Sequence, residues 1–71
     1  MDEDALNTSI RQFLKTFGVS AQREIEKAVR DADSKGKLMT PSLPAKAVLT
    51  VDGIDLKFEI KRNIALGMSG S

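Results

Sequence analysis

Residues 45–60, AKAVLTVDGIDLKFEI, decide the fold of this 71-residue chain. Two runs in which apolar and polar residues alternate lie on either side of Asp52-Gly53. Asp-Gly between such runs is a strong hairpin signal, because a two-residue type I′ turn needs a positive φ at both central positions. The stretch therefore predicts two antiparallel strands that fold about Asp52 and Gly53.

A two-residue turn also fixes which residues of the hairpin face each other. One face is then entirely apolar, with the pairs Val51–Ile54, Leu49–Leu56, Ala47–Phe58 and Ala45–Ile60. The other face is polar except for Val48, with the pairs Thr50–Asp55, Val48–Lys57 and Lys46–Glu59. The last pair joins opposite charges, which favours this register. A slip of one residue would turn the charged side chains toward the apolar face.

Two amphipathic helices are predicted before the hairpin. The first has an apolar stripe at helical spacing, formed by Leu6, Ile10, Phe13, Leu14 and Phe17. Gly18 is placed to end this helix, and Ser20 to cap the start of the next, with Val19 as its hydrophobic staple. The second stripe is narrower and consists of Ala21, Ile25, Ala28, Val29 and Ala32. Gly36 is placed to end the second helix, and both stripes are expected to supply the core.

The segments around the hairpin complete the predicted fold. Pro41 and Pro44 exclude regular helix from the linker over residues 37–44. After Ile60, a turn at residues 61–63 would start a short third strand, whereas a continuous second strand would direct Arg62 to the apolar face. The turn is preferred for that reason. The fold class is α+β, two helices packed on a hairpin or three-stranded meander, with one domain over residues 1–67 and a disordered tail over residues 68–71.

Composition bounds the possible functions. Eleven basic and ten acidic residues give a net charge of +1, so the positive excess typical of a nucleic-acid-binding protein is missing. The sequence has no cysteine, so no disulfide supports a chain near the lower size limit for a stable domain. No long apolar run or secretory leader is found, which predicts a cytoplasmic protein with no membrane partner.

The chain offers little chemistry for a catalytic, cofactor-binding or metal site. It has no histidine, cysteine, tyrosine or tryptophan. The acids Asp2-Glu3-Asp4 are adjacent, so they point in different directions around a helix, and their position predicts a role at the helix N-terminus. We therefore expect no enzyme activity, no cofactor and no metal.

Protein–protein interaction is the function that the sequence favours. The predicted partner is an unknown protein, or a second copy bound through the sheet edge, where backbone groups lack partners. The candidate contact residues are basic and exposed: Arg23, Lys27 and Arg30 on the second helix, and Lys46, Lys57, Lys61 and Arg62 on the hairpin.

A winged-helix nucleic-acid-binding protein is the alternative interpretation. Helix, Gly18-Val19-Ser20, helix and hairpin would correspond to a helix-turn-helix followed by a wing. However, Glu24 stands where that motif places an apolar residue, and the charges of the second helix are balanced. Such a helix repels phosphate about as much as it attracts it, so a nucleic-acid partner is not expected.

A series of short strings runs through the N-terminal half and into the hairpin. They are Asp4-Ala5-Leu6-Asn7, Ser9-Ile10-Arg11-Gln12-Phe13-Leu14-Lys15, Gly18-Val19-Ser20, Gln22-Arg23-Glu24-Ile25-Glu26-Lys27-Ala28-Val29 and Leu43-Pro44-Ala45. This pattern resembles a family of short uncharacterised proteobacterial proteins, a domain of unknown function. The resemblance extends to Gly67 and implies a stand-alone bacterial cytoplasmic protein. It implies no activity, cofactor or site residue.

Overall fold

A computed structural model describes residues 1–67 of the chain. It contains one helix, α1 (Glu3–Ser34), and two strands, β1 (Ser42–Val51) and β2 (Leu56–Ala65). These elements fall into two compact units, Met1–Lys37 and the part of the chain from Leu38 onward. The predicted α+β class is thus confirmed. The tail predicted over residues 68–71 lies outside the described residues.

The helical unit is one helix of 32 residues, so the prediction of two helices is wrong. A glycine that ends a helix usually has a positive φ, and Gly18 does not. Within residues 1–67, the glycines with a positive φ are Gly36, Gly53 and Gly67. The apolar positions Phe17, Ala21 and Ile25 follow at intervals of four, so the stripe stays in phase across Gly18. A glycine inside a helix costs about 1 kcal/mol relative to alanine, which is too little to end a helix that is otherwise continuous.

Both ends of α1 lie where the sequence predicts them. The Asp2 carboxylate accepts hydrogen bonds from the backbone N–H groups of Asp4 and Ala5, at 3.0 and 3.1 Å. At the other end Gly36 has a φ of 69° and its N–H donates to the Asp33 carbonyl, while Lys37 N–H donates to the Ala32 carbonyl at 2.9 Å. These two bonds form a Schellman motif. The N-terminal acids and Gly36 therefore have the predicted capping roles.

The hairpin forms as predicted, but its register differs by two residues. Val51 pairs with Leu56, Leu49 with Phe58, Ala47 with Ile60 and Ala45 with Arg62. Residues 52–55 form the turn, in which Gly53 has a φ of 92° and Asp52 does not have the positive φ that a type I′ turn requires. Because the shift is an even number of residues, the predicted apolar and polar faces are unchanged. Ile54, predicted to pair with Val51, lies in the turn and is exposed.

The predicted third strand does not form, because β2 continues through Arg62 to Ala65. The register places Arg62 opposite Ala45, whose small side chain leaves room for the long one across the sheet. Arg62 is exposed, so its guanidinium stays in water although it lies on the apolar face. The strand end is closed by a hydrogen bond from Leu66 N–H to the Pro41 carbonyl, at 2.9 Å.

Apolar side chains are exposed in both units, and no residue within the described range 1–67 is buried. The expectation that Phe13, Phe17 and Phe58 are core residues is therefore wrong, since each is about half exposed, at 52%, 49% and 51%. The physical reason is that each unit is a single layer. A lone helix or a two-stranded sheet cannot bury its own apolar face, because a core needs two packed layers.

Candidate functional site

The predicted basic residues of the helix lie together. Arg23, Lys27 and Arg30 are separated by four and three residues, so they share one face of α1. Acidic neighbours accompany them: Lys27 Nζ lies 3.6 Å from Glu24 Oε2, and Arg30 Nη1 lies 3.8 Å from Glu26 Oε2. Exposed pairs of this kind contribute less than about 1 kcal/mol. This face is therefore solvated and carries charges of both signs.

The predicted basic residues of the hairpin are divided between its two faces. Lys46 and Lys61 face each other across the strands, on the polar face. Lys57, opposite Thr50, lies further along that face, whereas Arg62 lies on the apolar one. The structure therefore brings only Lys46 and Lys61 into a direct pair.

Glu59 allows two lysines to face each other. Its carboxylate oxygens lie 3.7 Å from Lys46 Nζ and 3.6 Å from Lys61 Nζ. Glu59 itself faces Val48, so the predicted direct pairing of Lys46 with Glu59 is wrong, although the ion pair between them forms diagonally. One carboxylate thus offsets the repulsion between two opposed ammonium groups.

The two sheet edges differ in the hydrogen bonds that they can offer. The bond from Leu66 N–H to Pro41 fixes the pattern of the antiparallel ladder, in which inward-bonded and outward-facing backbone positions alternate. The outward positions of β1 are Ser42, Pro44, Lys46, Val48 and Thr50, and those of β2 are Lys57, Glu59, Lys61, Asn63 and Ala65. Pro44 has no N–H and interrupts the edge of β1. All five outward positions of β2 carry both a donor and an acceptor.

One functional candidate is not predicted from the sequence: the exposed apolar stripe of α1. We define this stripe as Leu6, Ile10, Phe13, Phe17, Ala21, Ile25, Ala28 and Ala32. The rings of Phe13 and Phe17 stack along it, with centroids 6.4 Å apart and planes at 12°. These residues were identified in the sequence, but the predicted break at Gly18 divided them between two core-forming helices. The spacing from Phe17 to Ala21 was the signal that joins them.

Other kinds of site find no support in the described part of the chain. Among residues 1–67, no three His, Cys, Asp or Glu side chains are grouped so that they could hold a metal ion. The helix-turn-helix interpretation requires a turn at residues 18–20, where α1 is continuous. Over the same range, the structure has no helix that combines the length and the apolar character needed to cross a membrane.

The chain matches no curated protein and no solved structure. A family model does match it, over residues 1–67, and its description is "Family of unknown function (DUF6494)". The match therefore includes α1, both strands and all the residues discussed above. The chain belongs to this family of unknown function.

Proposed function

We propose that the protein is a non-catalytic interaction protein whose β2 edge receives an extended strand from a partner protein. The outward-facing backbone of β2 carries this proposal. Five consecutive outward positions offer both N–H and C=O groups, and residues 1–67 contain no further strand that uses them. An added strand would satisfy those groups and would turn a marginal two-stranded sheet into a three-stranded one.

The side chains along this edge favour a partner strand that carries acidic residues. Lys57 and Lys61 stand four residues apart on the polar face of β2, with Glu59 between them. Glu59 is already engaged with two lysines, whereas the Lys57 ammonium has no ion pair within residues 1–67. A partner acid opposite Lys57 would form a favourable cross-strand pair. Charged edge residues also restrict pairing with unsuitable strands.

The proposed setting is the cytoplasm of a bacterial cell. Two properties of the sequence support it: the resemblance to short proteobacterial proteins, and a composition with no cysteine. The absence of catalytic activity is part of the same proposal, and it rests on a side-chain inventory without histidine or cysteine.

Two proline substitutions test the role of the edge, because they are matched in position and in chemistry. Lys61→Pro removes an outward N–H from β2, and Lys46→Pro removes the N–H directly across the sheet from β1. Both variants keep the inward ladder and both lose one lysine beside Glu59. The amount of specific partner recovered by affinity capture from the cells that express the protein is the readout. We expect Lys61→Pro to recover at least about tenfold less of it, since proline cannot donate a hydrogen bond to the added strand. Lys46→Pro should retain it.

Circular dichroism of both variants provides the folding control. If Lys61→Pro keeps the hairpin and still captures the same partner as Lys46→Pro, the β2 edge is not the binding site. Equal loss of the partner from both variants would likewise contradict the proposal. The β1 edge already lacks an N–H donor at Pro44, so the proposal does not place the partner strand on that edge.

A further inference from the structure

The apolar stripe of α1 changes in width along the helix. Seven steps separate Leu6 from Ala32, which are 26 positions apart, so the mean step is about 3.7 residues, slightly more than the 3.6 of an α-helix. The stripe therefore winds slowly around the helix, by about 80° over its whole length. Its first half carries large side chains, Leu6, Ile10, Phe13 and Phe17, whereas its second half is mostly alanine. A surface of this shape fits a partner surface with the opposite gradient.

We propose that a second copy of this chain covers the stripe, with the two α1 helices packed antiparallel. Residues whose numbers add to 38 then face each other. The resulting layers are Leu6 with Ala32, Ile10 with Ala28, Phe13 with Ile25, and Phe17 with Ala21, each formed twice in the dimer. Every large residue except Phe13 meets an alanine, and Phe13 meets the one larger residue of the second half. Six of the eight layers therefore pair a large residue with an alanine, as close packing of two helices favours, and only the two Phe13–Ile25 layers are larger.

A parallel dimer would lack this complementarity. It would place Phe13 on Phe13 and Phe17 on Phe17 in one half, and Ala28 on Ala28 in the other. The helices would be held apart by the aromatic layers, and the alanine layers would then enclose cavities. Identical charges would also meet, since Lys35 would face Lys35 at the end of the stripe.

The charges at the ends and flanks of the stripe favour the antiparallel arrangement as well. Glu3 begins α1 and Lys35 is its C-cap, and their numbers also add to 38. Lys35 Nζ already lies 3.0 Å from Asp31 Oδ2 of its own chain, so Glu3 of the second copy would join an existing ion pair at each end of the interface. The positions that flank the first half are uncharged: Asn7, Ser9, Leu14 and Thr16. They face the flanks of the second half, Gln22, Glu24, Val29 and Asp31, so no like charges meet.

These layers are also the ones that a helical hairpin with a turn at residues 18–20 would form within one chain. Because α1 is continuous, the two halves cannot meet, and a second copy supplies the missing half, as in domain swapping. The interface lies on α1 and does not use the β2 edge. Lys61→Pro should therefore leave the dimer intact, which separates this inference from the proposed function.

Cysteine cross-linking tests the arrangement directly, because the natural chain contains no cysteine. Two single variants are made, Ile10→Cys and Ala28→Cys, and each is oxidised alone and in an equal mixture with the other. We expect a disulfide-linked dimer in the mixture and at least about tenfold less in either sample alone, since a disulfide requires Cα atoms within about 7 Å. Because each chain carries one thiol, any linked product joins two chains.

Sedimentation then measures the strength of the dimer, in the unmodified protein and in two variants with altered charges. Glu3→Lys should weaken the dimer, and the second change Lys35→Glu in the same chain should restore it. Efficient self-linking of Ala28→Cys would establish a parallel dimer and overturn the proposal. A monomer at about millimolar concentration, or a dimer whose mixture fails to link, would overturn it as well.

Discussion

Ala21→Pro is expected to lower the free energy of unfolding of the helical unit by about 3 kcal/mol. Ala21 lies inside α1, where its N–H donates to the carbonyl of Phe17. Proline removes that bond, and its ring collides with the same carbonyl. Thermal unfolding followed by circular dichroism at 222 nm measures the loss, at a protein concentration low enough to keep the chain monomeric.

Glu3→Pro is the matched control for this substitution. Asp2 is the N-cap, so Glu3 is the first helical residue, where the N–H has no helical partner and proline is accepted. We expect its stability to stay within about 0.5 kcal/mol of the natural protein. A helix that started after Ser20 would instead make Ala21 the first helical residue. A neutral Ala21→Pro would thus contradict a continuous α1.

Phe13→Asp is expected to weaken the proposed dimer at least about 100-fold. Phe13 lies on the apolar stripe and faces Ile25 of the second copy, so the dimer contains two such layers. Replacing a buried phenylalanine by a small residue costs about 3–5 kcal/mol, and a desolvated carboxylate adds to that loss. A factor of 100 corresponds to about 2.7 kcal/mol, so the stated change is a lower bound. Sedimentation equilibrium over a concentration series measures the dissociation constant.

Val19→Asp makes the same chemical change on the other side of the helix. Val19 follows Phe17 by two residues and is therefore about 200° around the axis from it. Its exposed fraction, 48%, is close to the 52% of Phe13. We expect Val19→Asp to leave the dissociation constant within about threefold. If the two substitutions weaken association equally, the loss comes from added charge or from reduced helicity, and the stripe is not the interface.

The ends of the helical unit could be predicted from the sequence because capping is local. Asp2 and Gly36 each act through the two or three backbone groups beside them, and those groups are visible as neighbours in the sequence. Gly18 does not by itself reveal its role, because glycine is compatible with both a helix end and a helix interior. A helix interior is distinguished from a helix end here only by the spacing of the apolar residues on either side of Gly18. Phe17 and Ala21 are four residues apart, as on one face of a continuous helix.

The hairpin shows a similar limit. Alternation correctly assigned residues 45–51 and 56–60 to their faces, because alternation is independent of which residues are paired. It could not distinguish the two-residue turn from the four-residue turn, since both preserve the faces. The structure has the longer turn, and its register places Arg62 opposite Ala45. In the shorter register, a second strand that continued past Ile60 would place Arg62 opposite Leu43 instead.

The candidate surfaces were predicted only in part. Exposed basic residues are easily recognised, and Arg23, Lys27 and Arg30 do share a face. The β2 edge required the hydrogen-bond pattern of the sheet, which depends on the register. The residues of the α1 stripe are predicted to be core residues, because apolar residues at helical spacing usually are. That it is exposed follows from the absence of a second layer in the helical unit, a property of the tertiary structure.

The apolar stripe and the proposed dimer both require α1 to be one continuous helix. A single distance within the chain tests that continuity most directly. Spin labels are attached at Thr8→Cys and Arg30→Cys in one chain, which is diluted with unlabelled protein so that only distances within a chain contribute. Twenty-two residues of unbroken helix separate the labels by about 33 Å, at 1.5 Å per residue. Pulsed electron paramagnetic resonance should give a single distribution near that value. A helical hairpin would bring the two backbones to within about 10 Å, so a label distance below about 20 Å would contradict the continuous helix.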